Sequence, residues 1–167
     1  MVAIPGFSEP VSSLSHLAGA VVFAILSVPL IGRGRGDAGR MTSLAVFAFS
    51  CVLLLSLSGI YHLLAPESAA RGLLMRLHHA AIFVLIAGSF TPVHDILLRA
   101  PWQRLLLACI WAAAIAGLTV KTFYFSVMPQ GLGLLLYLGL GWLGVISTDA
   151  LARRFGLRFI LPLVWGA

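Results

Sequence analysis

Five stretches of this chain are almost free of charge and each is close to the ~20 apolar residues that a helix needs to cross a bilayer. They run over residues 10–32, 42–64, 78–98, 102–120 and 131–150. A further run, 158–167, stops well short of that length. At about 1.5 Å per residue it cannot cross as a helix. Backbone groups in lipid must be satisfied internally, which leaves helices as the spanning elements here. The expectation is an all-α polytopic transmembrane bundle with five spanning helices and a partial sixth. It forms a single domain over 1–167, with no soluble domain.

Composition closes off the alternatives. The chain is 60% hydrophobic and 10% charged, where soluble domains average about 25% charged. A soluble globular domain, a disordered chain and a disulfide scaffold are excluded. The two cysteines, Cys51 and Cys109, lie inside apolar runs and read as small packing residues. Net charge is +6, but the basic residues sit in short gaps between runs. That is a membrane-topology signature, so nucleic acid is not expected as a partner. Residues 1–16 contain no Lys or Arg. A cleavable signal is therefore not expected, and the first run should remain as a helix.

The gaps are helix-breaking. They contain Gly32-Arg33-Gly34-Arg35-Gly36-Asp37, Ala65-Pro66-Glu67-Ser68, Ala100-Pro101 and Met128-Pro129-Gln130-Gly131. Odd-numbered gaps carry eight basic residues and even-numbered gaps three. The count favours odd gaps inside and the N-terminus outside. Gly19, Ala87, Gly88, Gly117 and Gly139 would let helix backbones approach closely. Tyr61, Trp102, Tyr124 and Trp165, near run ends, fit an interfacial aromatic belt.

Ionisable groups at membrane depth are costly and mark candidate sites. His16, His62, His78 and His79 all fall near one membrane face when crossings are counted. His94 and Asp95 fall at the opposite face and read as an interfacial cap. Neutral imidazole is a common metal ligand. Ser58 and His62 share a helix face at i and i+4, as do Ser12 and His16. A serine so placed can orient an imidazole or a bound water. Equally, interfacial histidines beside a polar turn are reached by water and can be structural. Spacing alone leaves both readings open.

Three ordered motifs carry a resemblance. Glu9-Pro-Val-Ser12-Ser-Leu-Ser15-His16-Leu-Ala-Gly19 resembles the first-helix motif of the haemolysin III family. Ser58-Gly-Ile-Tyr61-His62 matches its Ser-x-x-x-His. Leu77-His78-His79-Ala-Ala-Ile82, followed by Ile86-Ala87-Gly88-Ser89-Phe90-Thr91-Pro92, is similar to its third-helix signature. Tyr137-Leu-Gly139-Leu-Gly141-Trp142 resembles its fifth helix.

The resemblance implies kinship with the progestin and adipoQ receptors and, more distantly, the alkaline ceramidases. It implies a seven-helix fold with zinc near one membrane face, hydrolysis of a lipid amide or ester, membrane lipids as partners, and a bacterial plasma membrane location. It makes His62 a zinc ligand and Ser58 an orienting group or transition-state donor. Glu9, Ser12, His16 and His79 would line the same polar pocket. Two departures accompany it. His78 stands where the family has an Asp that holds the zinc-bound water, so His78 is expected to position water or to act as a further ligand. The seventh helix, with two further His ligands, has no counterpart, so the sequence reads as truncated or as ending in a half-inserted stub. Receptor-branch members also have the N-terminus inside, against the charge count. The alternative is a non-enzymatic pore-forming, haemolytic or lipid-responsive membrane protein with structural histidines.

Overall fold

The computed structural model describes residues 8–98 and 101–165. The chain is an all-α transmembrane bundle. In order come α1 (Pro10–Gly32), α2 (Ala38–Leu63) and α3 (Ala69–Pro92), then a π-helical turn (Val93–Leu98). They are followed by α4 (Pro101–Phe123), α5 (Gln130–Trp142), α6 (Gly144–Phe155) and α7 (Leu157–Trp165). Five segments are long and apolar enough to span: Pro10–Gly32, Ala38–Leu63, Ala69–Leu98, Pro101–Phe123 and Gly131–Phe155.

Local chemistry sets the boundaries. Pro10 opens α1 at a position where no backbone N–H is needed. Gly36, at φ +92°, turns the chain, and Asp37 caps α2 by accepting from the Arg40 N–H at 3.1 Å. The cap starts α2 at Ala38, ahead of the apolar run that begins at 42. α3 starts at Ala69 rather than at His78, because its first two turns carry Arg71 and Arg76, which hydropathy excludes. The fifth run divides at Leu143, amid Gly139, Gly141 and Gly144, which are weak helix formers. α7 covers most of the short sixth run, and positions 166–167 lie outside the described residues.

The packing inverts that of a soluble protein. Large apolar side chains such as Val11, Ile25 and Val28 on α1 face outward. The inward face of α2 is Ser43, Ala48, Ser50, Cys51, Ser58 and Gly59. Lipid tails are as apolar as leucine, so helices gain from close backbone approach rather than from burying bulk. One glycine serves each of the three sequential pairs among α1 to α4. A Cβ on Gly59 would lie 2.6 Å from Leu17 Cγ of α1. On Gly88 it would collide with Ser50 Oγ of α2, and on Gly117 it would lie 2.5 Å from Phe83 Cε1 of α3. Phe83, Ala87, Ile110, Ala114 and Leu140 then form the core between α3, α4 and α5.

At the far end, Pro92 removes a backbone donor and the ladder widens into the π turn. The widened turn aims His94 inward. His94 is therefore not an interfacial cap: it is fully buried, 0% exposed. Its Nδ1 donates to the Gln103 carbonyl at 3.1 Å, and Nε2 meets Ser147 Oγ at 2.9 Å. One ring thus ties the turn to α4 and α6. Arg154 of α6 donates to the Leu97 and Leu98 carbonyls, and Ser43 of α2 lies 2.6 Å from Asp95 Oδ2.

Gly88→Val is expected to lower stability by about 1–3 kcal/mol through overpacking against Ser50. Gly139→Ala, whose Cβ meets nothing within 4 Å, is expected to leave stability unchanged or raise it slightly. Thermal unfolding of both variants in one detergent checks the pair.

Candidate functional site

The ends of α1 and α2 and the start of α3 converge on one membrane face and bring Glu9, His16, Ser58, Tyr61, His62, Arg71, His78 and His79 together. Glu9 precedes α1 by one residue. Its backbone N–H donates to the His62 carbonyl at 3.1 Å, which locks the entry of α1 onto the end of α2. Its carboxylate is held from two sides. His62 Nδ1 lies 2.9 Å from Oε2, and Arg71 Nη2 lies 2.8 Å from Oε1. The other Arg71 amine donates to Ser8 Oγ at 2.8 Å and to the Leu64 carbonyl.

These bonds assign tautomers. An ionised carboxylate only accepts, so the neutral ring of His62 carries its proton on Nδ1 and leaves Nε2 with a lone pair. His79 follows the same logic, since its Nδ1 donates to the Met75 carbonyl at 2.7 Å. A carboxylate behind a histidine is the arrangement that orients metal-ligating imidazoles. His16 pairs its Nδ1 with Ser58 Oγ at 2.7 Å, and its ring centroid is 5.6 Å from that of His62. Ser58 thus serves His16 across the α1–α2 interface, not His62 one turn along its own helix.

Tyr61 links the two halves of the cluster. Its ring meets His62 edge-on at 4.8 Å and lies parallel to His78, with centroids 6.0 Å apart. The Arg71 guanidinium sits 4.8 Å above the same ring. His78 in turn contacts His79 at 5.4 Å. The His78 Nδ1 is buried with no hydrogen-bond partner among the described residues. Ser12 is half-buried; its carbonyl accepts from Ser15 Oγ, and its hydroxyl does not join the cluster. Its neighbour Ser13 is the buried one, donating to the Gly59 carbonyl at 2.9 Å.

Arg71 and Tyr61 are site residues that spacing did not reveal. Arg71 reads in the sequence as a gap charge and Tyr61 as an interfacial aromatic. The available signal was electrostatic: Glu9 is the single charged residue among the first sixteen besides histidine, and a carboxylate beside the first span calls for a cation.

A catalytic zinc takes three protein ligands and keeps one position open. Among the described residues, no group of three or more His, Cys, Asp or Glu is gathered closely enough to hold a metal ion. The donor chemistry fits in part: His62 has a free Nε2 backed by Glu9, and His78 has an unpartnered buried nitrogen. The ring separation of His16 and His62 also approaches the ~5 Å expected for two imidazoles on one tetrahedral ion at Zn–N of about 2.0–2.1 Å.

The Haemolysin-III related family model matches residues 7–166. The chain belongs to that family. It is 30% identical over 161 residues to Hemolysin-3 of Bacillus cereus, covering 95% of this chain and 73% of that protein. It is 28% identical over 161 residues to the Hemolysin-3 homolog of Bacillus subtilis (strain 168), covering 95% of this chain and 75% of that one. Five spans and bacterial haemolysin III relatives make it an integral membrane protein. Within this haemolysin III chain, the Glu9–Arg71–His62 clamp joins the first, second and third helices at their polar ends.

The clamp has a pH signature. The hydrogen bond from Arg71 holds the Glu9 carboxyl below its ordinary 4.5; burial opposes this, and His62 adds to the lowering. A carboxyl depressed on folding contributes stability that is full above the unfolded value and is lost as pH falls through the folded one. Thermal stability of the wild type should therefore hold steady above pH 4.5 and drop in more acid solution. Glu9→Gln should be less stable at pH 7 and show a shallower acid drop. Identical pH profiles for the two proteins would remove Glu9 from this role.

Proposed function

We propose that the histidine cluster is one part of a zinc centre and that the protein hydrolyses a lipid amide or ester at the membrane surface. The observation that carries this reading is the Glu9–His62 bond of 2.9 Å, which leaves Nε2 of His62 as a ready ligand. His62 would hold the metal, with His16, whose ring centroid is 5.6 Å away, as the neighbouring nitrogen donor; His78 lies beyond the Tyr61 ring. Bound zinc supplies a water that ionises near neutral pH and a Lewis acid for a carbonyl. Glu9 and Arg71 fix the His62 ring, so the imidazole does not rotate away from its task. Ser58 fixes His16 in the same way. His78 occupies the place where the family carries an Asp, and its unpartnered nitrogen suits it to hold a water or a ligand.

Zinc content decides the matter. The purified protein, dialysed against metal-free buffer, is expected to retain about one zinc per chain by elemental mass spectrometry. His62→Ala should lose it, and Glu9→Gln should weaken retention about 10–100-fold, as loss of an orienting carboxylate does. The exposed variant Arg153→Ala should match the wild type. Unchanged zinc in His62→Ala would sink the assignment.

A second reading has its own support. The clamp of Arg71, Glu9 and His62 also works as a purely structural knot between three helices, and the similar proteins carry the name Hemolysin-3. In that reading the protein permeabilises or senses membranes and its histidines are structural. Dye leakage from liposomes separates the two. Leakage that persists in a chelator and in His62→Ala supports the structural reading; its absence removes it.

A further inference from the structure

Beside the histidine cluster, on the same membrane face, lies a group of cations with no counter-ion among the described residues. Lys121, in the last turn of α4, is 94% buried, at 6% exposure. Its Nζ lies 5.1 Å from the centroid of Phe125, and Arg76 of α3 places its guanidinium carbon 5.9 Å from the same ring. His79 meets Phe125 edge-on at 5.3 Å. Arg76 reaches Ser126 Oγ at 3.4 Å. Among the described residues, no carboxylate lies in ion-pair range of Lys121 or Arg76. The Lys121 ammonium is seated against α5, where a Cβ on Gly133 would lie 2.7 Å from Nζ.

Two cations around one ring repel each other, and cation–π contact offsets only part of the cost of burying an ammonium. A charge held at this depth needs an anion. Depth says which. The apolar run 78–98 is by itself about 30 Å of helix, enough to fill a hydrocarbon core of about 30 Å. Arg76, two residues before that run, therefore stands at the headgroup layer. The abundant anion of that layer is lipid phosphate. Directly beneath Lys121, α4 and α5 enclose an apolar groove of about 420 Å³ lined by Phe83, Gly117, Val120, Leu136, Gly139 and Leu140. Gly117 lies one turn before Lys121 on the same face of α4, and Val120 directly precedes it, so the mouth of the groove lies next to the cation in the chain.

We propose that Lys121 and Arg76 bind the phosphate of an anionic phospholipid whose acyl chain lies in the α4–α5 groove. The site is separate from the zinc reading and stands whether or not that reading holds. The test uses the purified, delipidated chain in detergent, titrated with dioleoyl phosphatidylglycerol, with dioleoyl phosphatidylcholine and with inorganic phosphate, and read by native mass spectrometry. Phosphatidylglycerol should be retained over phosphatidylcholine. Lys121→Gln and Arg76→Gln should each weaken it about fivefold, the worth of one basic residue at a charged lipid surface. Lys121→Arg should restore it, and Gly139→Phe should block it by filling the groove. Arg76 is exposed, so its variant tests the site without disturbing buried packing. Equal phosphatidylglycerol retention by the wild type and Arg76→Gln would overturn the proposal. So would displacement of the lipid by an equal concentration of inorganic phosphate, which would show that the acyl groove contributes nothing.

Discussion

Close backbone approach is the constraint on which the rest of this bundle depends. In lipid, covering an apolar side chain with another gains little, because the tails already solvate it. Helices must instead come near enough for dispersion and for backbone-directed hydrogen bonds to act. Gly59, Gly88 and Gly117 each take a neighbour's side chain into the space a Cβ would fill. With those contacts made, Ser13 reaches the Gly59 carbonyl, and Trp111 reaches Thr91 across α3 and α4 at 3.1 Å. The small inward faces also explain why leucines, valines and isoleucines crowd the outside.

The polar groups are sorted to the two ends of this packed middle, and the ends differ in kind. One end holds ionisable side chains in contact with one another: a carboxylate shared between an imidazole and a guanidinium, then rings in sequence through Tyr61 to His78 and His79. The other end is a knot around a fully buried histidine, closed by a serine and a backbone carbonyl. Among the described residues, the first leaves ring nitrogens open at Nε2 of His62 and His79 and at Nδ1 of His78, whereas the second occupies both nitrogens of His94. The contrast lies in the histidine ring nitrogens, since Gln103 Oε1 beside the knot is, like His78 Nδ1, buried without a hydrogen-bond partner among the described residues.

Hydropathy made the spanning helices legible, because about twenty uncharged residues in a row have few other fates. The same criterion failed at the start of α3, since Arg71 and Arg76 are helical but not apolar. The four histidines of one face were legible from counting crossings. Which serine serves which histidine was not. The i, i+4 rule describes one helix, and the Ser58–His16 bond depends on how α1 is rotated against α2. His94 was misread for a related reason: a π turn shifts side-chain direction, and Pro92 alone does not announce whether a helix will kink, end or widen. Arg71 and Tyr61 needed three-dimensional proximity to be seen as anything other than interface residues.

The π turn has a consequence for the last third of the chain. α6 is the most polar of the helices, carrying Ser147, Thr148, Asp149, Arg153 and Arg154 beside Val145, Ile146 and Leu151, so greasy contact alone cannot set its rotation in a solvent that is itself apolar. Directed bonds can. Ser147 on His94 and Arg154 on the Leu97 and Leu98 carbonyls lie two turns apart on α6, and together they admit a single azimuth. The widened turn therefore acts as a key that indexes α6, fixing which of its faces looks at the bundle and which at the acyl chains.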